Sequence, residues 1–221
     1  MGGLDKVEDR RLQCLVLLVF KIVLLGSVLL SCSVNESFKG TEFIPPKVAP
    51  DFELTDQFGQ SVRLSDFRGT IVVLTFLYTN CSNVCPLIVN QIKEIQEILD
   101  KDSVVKFVAV TVDPQNDTVE RVYNYSSELG MLHNWSFLVG GAERLEEIWQ
   151  QYFVHPIEVD TSVRTPNSKG LSKFKDDILG RKIIHTTPLF LIDAEGSMRT
   201  VVTPAFDTDA VVHDIRLLLS H

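Results

Sequence analysis

The chain has 221 residues, 45% of them apolar and 23% charged, with 12 glycines and 9 prolines, a composition that excludes disordered, collagen-like and low-complexity chains and points to one globular domain. Lysine and arginine number 21 against 29 aspartates and glutamates, giving a net charge of −8, and no basic cluster interrupts that balance, so no nucleic-acid partner is expected. Four cysteines, Cys14, Cys32, Cys81 and Cys85, are too few and too unevenly spaced for the disulfide framework of a small secreted domain, and each is read by its position.

At the N-terminus Arg10 and Arg11 precede an apolar run from Leu12 to Ser31, and Cys32 follows directly. The pattern resembles a secretory signal with a bacterial lipoprotein cleavage site, in which Leu29-Leu30-Ser31-Cys32 is the lipobox and the thiol of Cys32 receives a diacylglycerol. Leu30 replaces the small residue usual in that slot, and Asp5, Glu8 and Asp9 are unusual ahead of a signal. The alternative is an uncleaved membrane anchor, since about 20 apolar residues span a bilayer. Lys21 at mid-span opposes it by about 2.5–3.5 kcal/mol. Either way, residues 1–31 are expected to hold the remainder at the extracytoplasmic face of a bacterial cell membrane, lipid-anchored or single-pass. Residues 32–49 read as a polar tether and 50–221 as the folded domain. Cys14 lies inside the signal as apolar filler. Loss of Met1 to Ser31 leaves 17 basic and 26 acidic residues, a net charge of −9.

From Pro50 onward strand-like and helix-like segments alternate, which predicts an α/β fold with a partly parallel, buried sheet. Asp51 to Gly59 and Val62 to Gly69 read as an N-terminal β-hairpin. Ile71 to Leu77 is an unbroken apolar and β-branched run, as expected of a strand buried on both faces. Leu87, Ile88, Ile92, Ile95, Ile98 and Leu99 recur at helical intervals and stop near Asp100. Val104 to Val112 is the next strand, ended by Asp113-Pro114. Asp117 and Glu120 form a capping-box pattern opening a helix through Leu129. Asn134 to Val139 predicts a short strand, Glu143 to Tyr152 a helix, and His155 to Arg181 a loop or hairpin insertion. Strands at Leu189 to Ile192 and Met198 to Val202, then a helix from Asp207 to Leu219, complete the chain.

The informative segment is Tyr78-Thr-Asn-Cys81-Ser-Asn-Val-Cys85-Pro86, where a central strand passes into a helix. Reactive groups favour that end of an open α/β sheet. The interval between Cys81 and Cys85 puts both on one side of a first helical turn, with Cα atoms about 6 Å apart, so one disulfide or one metal ion could join them. Ser82 or Asn83 can cap the helix, and Pro86 is tolerated in the first turn. The positive end of the helix dipole favours thiolate, the form that attacks disulfides and binds soft metals. An inert disulfide is the plainer alternative, but a bridge this short constrains little of the unfolded chain.

With these residues in view the chain resembles the Sco/SenC family of membrane-tethered, thioredoxin-like copper proteins that serve cytochrome c oxidase assembly. The similar stretches are Asp51 to Gly69, Thr75 to Pro86, Val110-Thr-Val-Asp113-Pro114 with Asp117-Thr118, Asn134-Trp135 through Gly140-Gly141, and His185-Thr-Thr-Pro-Leu-Phe-Leu-Ile-Asp193. The resemblance implies a thioredoxin-like fold, a central mixed sheet flanked by helices. It also implies a copper site made of Cys81, Cys85 and His185. Two thiolates and an imidazole suit Cu(I), with Cu(II) an alternative, whereas zinc normally takes a fourth protein ligand. The implied function is a copper chaperone loading the copper-bearing subunit of cytochrome c oxidase during assembly of its CuA site. His133, His155, His213 and His221 match no motif, and Asp113 reads as a strand-end hydrogen-bonding residue. Pro188 falls one residue later than the position at which a thioredoxin fold commonly places a cis-proline. The segment from His155 to Arg181, which in the family tends to shape the partner surface, has no visible match.

Two enzyme classes compete. A thiol–disulfide oxidoreductase would keep an acceptor's cysteines reduced through the redox-active pair Cys81 and Cys85, although such enzymes typically have two residues between the cysteines and this chain has three. A peroxiredoxin-like peroxidase is suggested by Val84-Cys85-Pro86, but Tyr78 stands where that motif carries proline.

Overall fold

In the computed structural model, residues 36–82, 84–99, 104–160, 181–204 and 206–220 are described. The expectations for the signal or anchor, Cys14 and the lipidation of Cys32 lie outside them. The compact unit carrying every described element runs from Phe38 to His221.

Its centre is β4 (Ile71–Leu77), all seven residues of which are buried. β-Branched and aromatic side chains fill both faces of the pleat, as a strand covered on two sides requires. β4 pairs in parallel with β5 (Val105–Thr111), from Ile71 opposite Val105 to Leu77 opposite Thr111, and β5 in turn with β6 (Trp135–Leu138). On its other side β4 pairs antiparallel with β9 (Leu189–Ile192), and β9 with β10 (Ser197–Val202). With β1 (Thr41–Val48) at the far edge, the six-stranded order is β1-β10-β9-β4-β5-β6. This is the mixed, thioredoxin-like sheet expected from the sequence.

The hairpin near the start of the domain is β2 (Glu53–Thr55) against β3 (Ser61–Arg63), followed by a 3-10 turn at Leu64–Phe67. Its connecting loop supplies Gln57, which is 2% exposed. The Gln57 side-chain amide donates to the Trp135 carbonyl and accepts from the Phe137 N–H, each at 2.9 Å, so a side chain closes the outer edge of β6.

The helices are α1 (Val84–Ile98), α2 (Val119–Glu128), α3 (Ala142–Gln151) and α4 (Thr208–Leu219). α1 buries Ile88, Val89, Ile92 and Ile95 at three- and four-residue spacing and packs beside α4. The insertion between α3 and β9 is a hairpin in its described parts, β7 (Ile157–Asp160) paired antiparallel with β8 (Arg181–Ile184).

The structure differs from the sequence expectations at two places. β1 lies within the segment expected to be tether, 32–49, so the folded unit begins near Phe38 and not at residue 50. The fully buried Asp214 carboxylate draws the chain in, accepting the Lys39 N–H at 2.7 Å and the Gly40 N–H at 2.9 Å. At α2 the cap is Thr118, whose side chain accepts from Arg121 N–H, and the Asp117 carboxylate turns inward. The pairing of Asp117 with Glu120 as a capping box is therefore replaced by a cap one residue later, because the carboxylate has stronger partners elsewhere.

Candidate metal centre

The last residues of β4 deliver the chain to the N-terminal end of α1, and the cysteine pair sits at that junction. Cys81 is half-buried and Cys85 fully buried, and neither is in a disulfide. The Cys85 N–H, one of the donors that a first helical turn leaves without a carbonyl, points at Cys81 Sγ at 3.4 Å. Cys81 therefore occupies the place of a capping acceptor, where the amide and the helix dipole favour negative charge on its sulfur. The Cys85 thiol is pushed strongly up by its hydrogen bond with Cys81 and by burial, and the Tyr78 backbone amide opposes this only in part. The two sulfurs are thus unequal: Cys81 is the more accessible, and Cys85 is buried with its thiol pushed up.

His185 follows β8 directly and is half-buried. Its Nδ1 lies 2.7 Å from the Thr186 carbonyl oxygen. A carbonyl only accepts, so the neutral ring carries its proton on Nδ1 and presents the Nε2 lone pair. Burial lowers the affinity of the ring for a second proton, opposed by the Thr186 bond and by the charge of Cys81. The neutral, metal-binding form is favoured.

Tyr78 stands between the two parts. Its ring meets the His185 ring edge-on with centroids 5.8 Å apart, and its hydroxyl donates to the Ile183 carbonyl at 3.1 Å. Among the described residues no three His, Cys, Asp or Glu side chains are gathered tightly enough to hold a metal ion. The structure thus brings Cys81 and Cys85 together and sets His185 beside them across Tyr78.

A second group supports the loop ahead of Cys81. Asp117, 4% exposed, accepts the hydroxyls of Thr79 and Thr111, each at 2.6 Å, and the Thr79 N–H at 3.3 Å. Burial raises its carboxyl above the usual value, against the pull of those bonds. Arg121 Nε donates to Thr79 Oγ1 at 2.8 Å from the exposed side. Asp113 accepts from the Asn116 side chain at 2.9 Å while its own N–H is held by Thr111, the strand-end role expected of it. The one cis peptide bond among the described residues is Ile44–Pro45, so the bond before Pro188 is trans. Sequence reading missed Tyr78 and Asp117 as parts of this site. For Tyr78 the available signal was a hydroxyl-bearing aromatic closing a wholly apolar strand just ahead of the cysteines.

The family model described as SCO1/SenC matches residues 42–220. The chain belongs to the SCO1/SenC family. Among its relatives, the SCO2-like protein RC0895 of Rickettsia conorii is 28% identical over 152 residues, covering 68% of this chain and 66% of that protein. The chain thus matches just under two thirds of the length of that relative. The SCO1 protein homolog of Bacillus subtilis is 22% identical over 170 residues, 75% of this chain and 79% of that protein. Among solved structures, apo Sco1 from Thermus thermophilus superposes with a TM-score of 0.66 at 28% identity, covering 84% of this chain and 99% of that one. Yeast Sco1 with copper bound gives 0.62 at 20% identity, covering 79% and 90%, a likeness of fold.

Proposed function

We propose that this family member is a copper chaperone, carrying copper on Cys81, Cys85 and His185 and passing it to the copper-bearing subunit of cytochrome c oxidase. The observation that carries the proposal is a pair of unbridged thiols at the head of α1 with an imidazole on the other side of Tyr78 whose Nε2 lone pair is free of the Thr186 bond. Two soft sulfurs and one nitrogen suit Cu(I), which accepts low coordination and leaves an edge open to an incoming thiolate or imidazole. Binding displaces the tightly held proton of Cys85, so loading is favoured as pH rises and protonation of that thiol favours release to an acceptor ligand. The His185 ring packs edge-on against Tyr78, so it is the ligand that swings to complete the site. Copper is cargo here, and no substrate is turned over. The likeness to copper-bound yeast Sco1 supports the cargo assignment. The Bacillus anthracis neighbour, a SCO1/SenC family lipoprotein, supports the membrane-anchored, extracytoplasmic placement through Cys32.

The inequality of the two sulfurs favours a second activity on the same residues. A half-buried outer sulfur and a buried inner thiol can reduce an acceptor disulfide: Cys81 attacks, Cys85 displaces the mixed disulfide, and two electrons and two protons leave the pair as Cys81–Cys85 closes. The experiment that tests the chaperone assignment is copper stoichiometry of the reduced chain after gel filtration against a competing chelator. One copper per chain is expected in wild type, none in Cys81→Ser or Cys85→Ser, and weakened retention in His185→Ala. Full retention by Cys81→Ser would overturn the assignment.

A further inference from the structure

Tyr78 is 6% exposed and directly follows β4, yet its polar hydroxyl reaches from the cysteine loop to the strand before His185. The hydroxyl ties the cysteine loop to β8 through the Ile183 carbonyl across 105 residues of sequence, two positions before His185. The ring supports the imidazole edge-on. The hydrogen bond of the imidazole itself goes to its own neighbour Thr186, which sets the tautomer and leaves the position of the ring in space undetermined. The contact that places the ring relative to the sulfurs is therefore with Tyr78.

We infer that Tyr78 is a positioning residue of the metal centre, a strut that sets how far His185 stands from Cys81 and Cys85 by anchoring β8 through its hydroxyl and the imidazole through its ring. The inference rests on the assignment of Cys81, Cys85 and His185 as copper ligands. Phenylalanine at this position keeps the ring and loses the anchor to Ile183. Leucine loses both parts.

The test compares the reduced full chain carrying Tyr78→Phe, Tyr78→Leu or Tyr152→Phe. Tyr152 is a suitable control because its buried hydroxyl also donates to a backbone carbonyl, that of Pro50 at 2.7 Å, within the aromatic packing of Phe52, Phe76 and Phe190. In Tyr78→Phe, transfer of Cu(I) to bathocuproine should quicken by roughly fivefold, the worth of one neutral hydrogen bond. The copper hyperfine splitting of the Cu(II)-loaded form should shift, and Tyr78→Leu should exceed both effects. Tyr152→Phe should lower the unfolding temperature while leaving rate and spectrum as in wild type. A metal-free readout accompanies these: amide exchange at Ile184 and His185 should quicken by roughly fivefold in Tyr78→Phe. Unchanged exchange in that variant, or equal copper effects in Tyr152→Phe, would overturn the strut. A wild-type chain that takes up no copper would instead overturn the ligand assignment, with the exchange result still deciding whether Tyr78 holds the His185 segment.

Discussion

Replacing Asp117 tests whether the loop ahead of the cysteines is held from below. Asp117→Ala removes the acceptor for the Thr79 hydroxyl and the Thr111 hydroxyl, both at 2.6 Å, and for the Thr79 N–H at 3.3 Å. Hydrogen bonds to a charged group contribute about 1.5–3 kcal/mol each, so the two short ones are worth about 3–6 kcal/mol before the cost of burying the carboxylate is set against them. Burial already raises the Asp117 carboxyl, which marks that cost as substantial, and a net loss of about 2–3 kcal/mol follows. At roughly 2–4 °C per kcal/mol for a domain of this size, Tm should fall by about 4–12 °C. Asp117→Asn keeps one acceptor oxygen and should lose less. Its pH dependence has a fixed sign. The folded chain holds this proton more tightly than the unfolded one, so wild-type stability declines as pH rises from below the usual carboxyl value of 3.8 through the raised folded value. Asparagine lacks that decline, and the deficit of Asp117→Asn should shrink as pH rises through that window. Thermal unfolding followed by circular dichroism from about pH 4 to pH 7 reads both effects. An unchanged Tm in Asp117→Ala, or a deficit that widens with pH in Asp117→Asn, would refute the reasoning.

Three further outcomes are expected. In the native reduced chain iodoacetamide should label Cys81 and spare Cys85 until the protein unfolds, as peptide mass spectrometry would show; labelling at equal rates would contradict the inequality of the two sulfurs. His185→Ala should retain formation and reduction of the Cys81–Cys85 disulfide yet fail to restore respiratory oxidase activity in cells lacking the native protein, whereas Cys85→Ser should fail in both; normal oxidase copper in His185→Ala cells without added copper would move the thiol activity to first place. Wild-type protein extracted from membranes should begin at a lipid-modified Cys32, and Cys32→Ser should accumulate as an uncleaved precursor; an intact, unmodified wild-type N-terminus by mass spectrometry would identify a transmembrane anchor instead.

Much of the fold was legible because its core strands are buried on both faces. That demand leaves a run of apolar and β-branched residues at β4, a similar run broken by Lys106 at β5, and a helical stripe of isoleucines along α1. The closeness of the two cysteines was legible from their spacing, although the helix starts at Val84, so Cys81 lies ahead of the first turn and accepts from the Cys85 N–H instead of belonging to that turn. β1 was not, because it is an exposed edge strand containing Pro45 and Pro46 whose place depends on pairing with β10 and on Asp214, far away in sequence. Asp117 was misread for want of the same long-range information. Its pattern with Glu120 fits a local cap, while its actual partner Thr79 lies 38 residues away. Tyr78 and the β8 carbonyl it holds are separated by 105 residues, and no local periodicity reports such a contact. Proline at position 188 carried a signal of the general fold, but its trans bond departs from it, and His185 leads into the strand there.

The most direct test of the copper assignment is X-ray absorption spectroscopy of the Cu(I)-loaded, reduced chain. The account predicts a three-coordinate copper with two sulfur scatterers and one nitrogen scatterer with imidazole multiple scattering, and loss of the nitrogen component alone in His185→Ala. A wild-type spectrum with two sulfurs and no imidazole, unchanged by His185→Ala, would contradict the proposed centre.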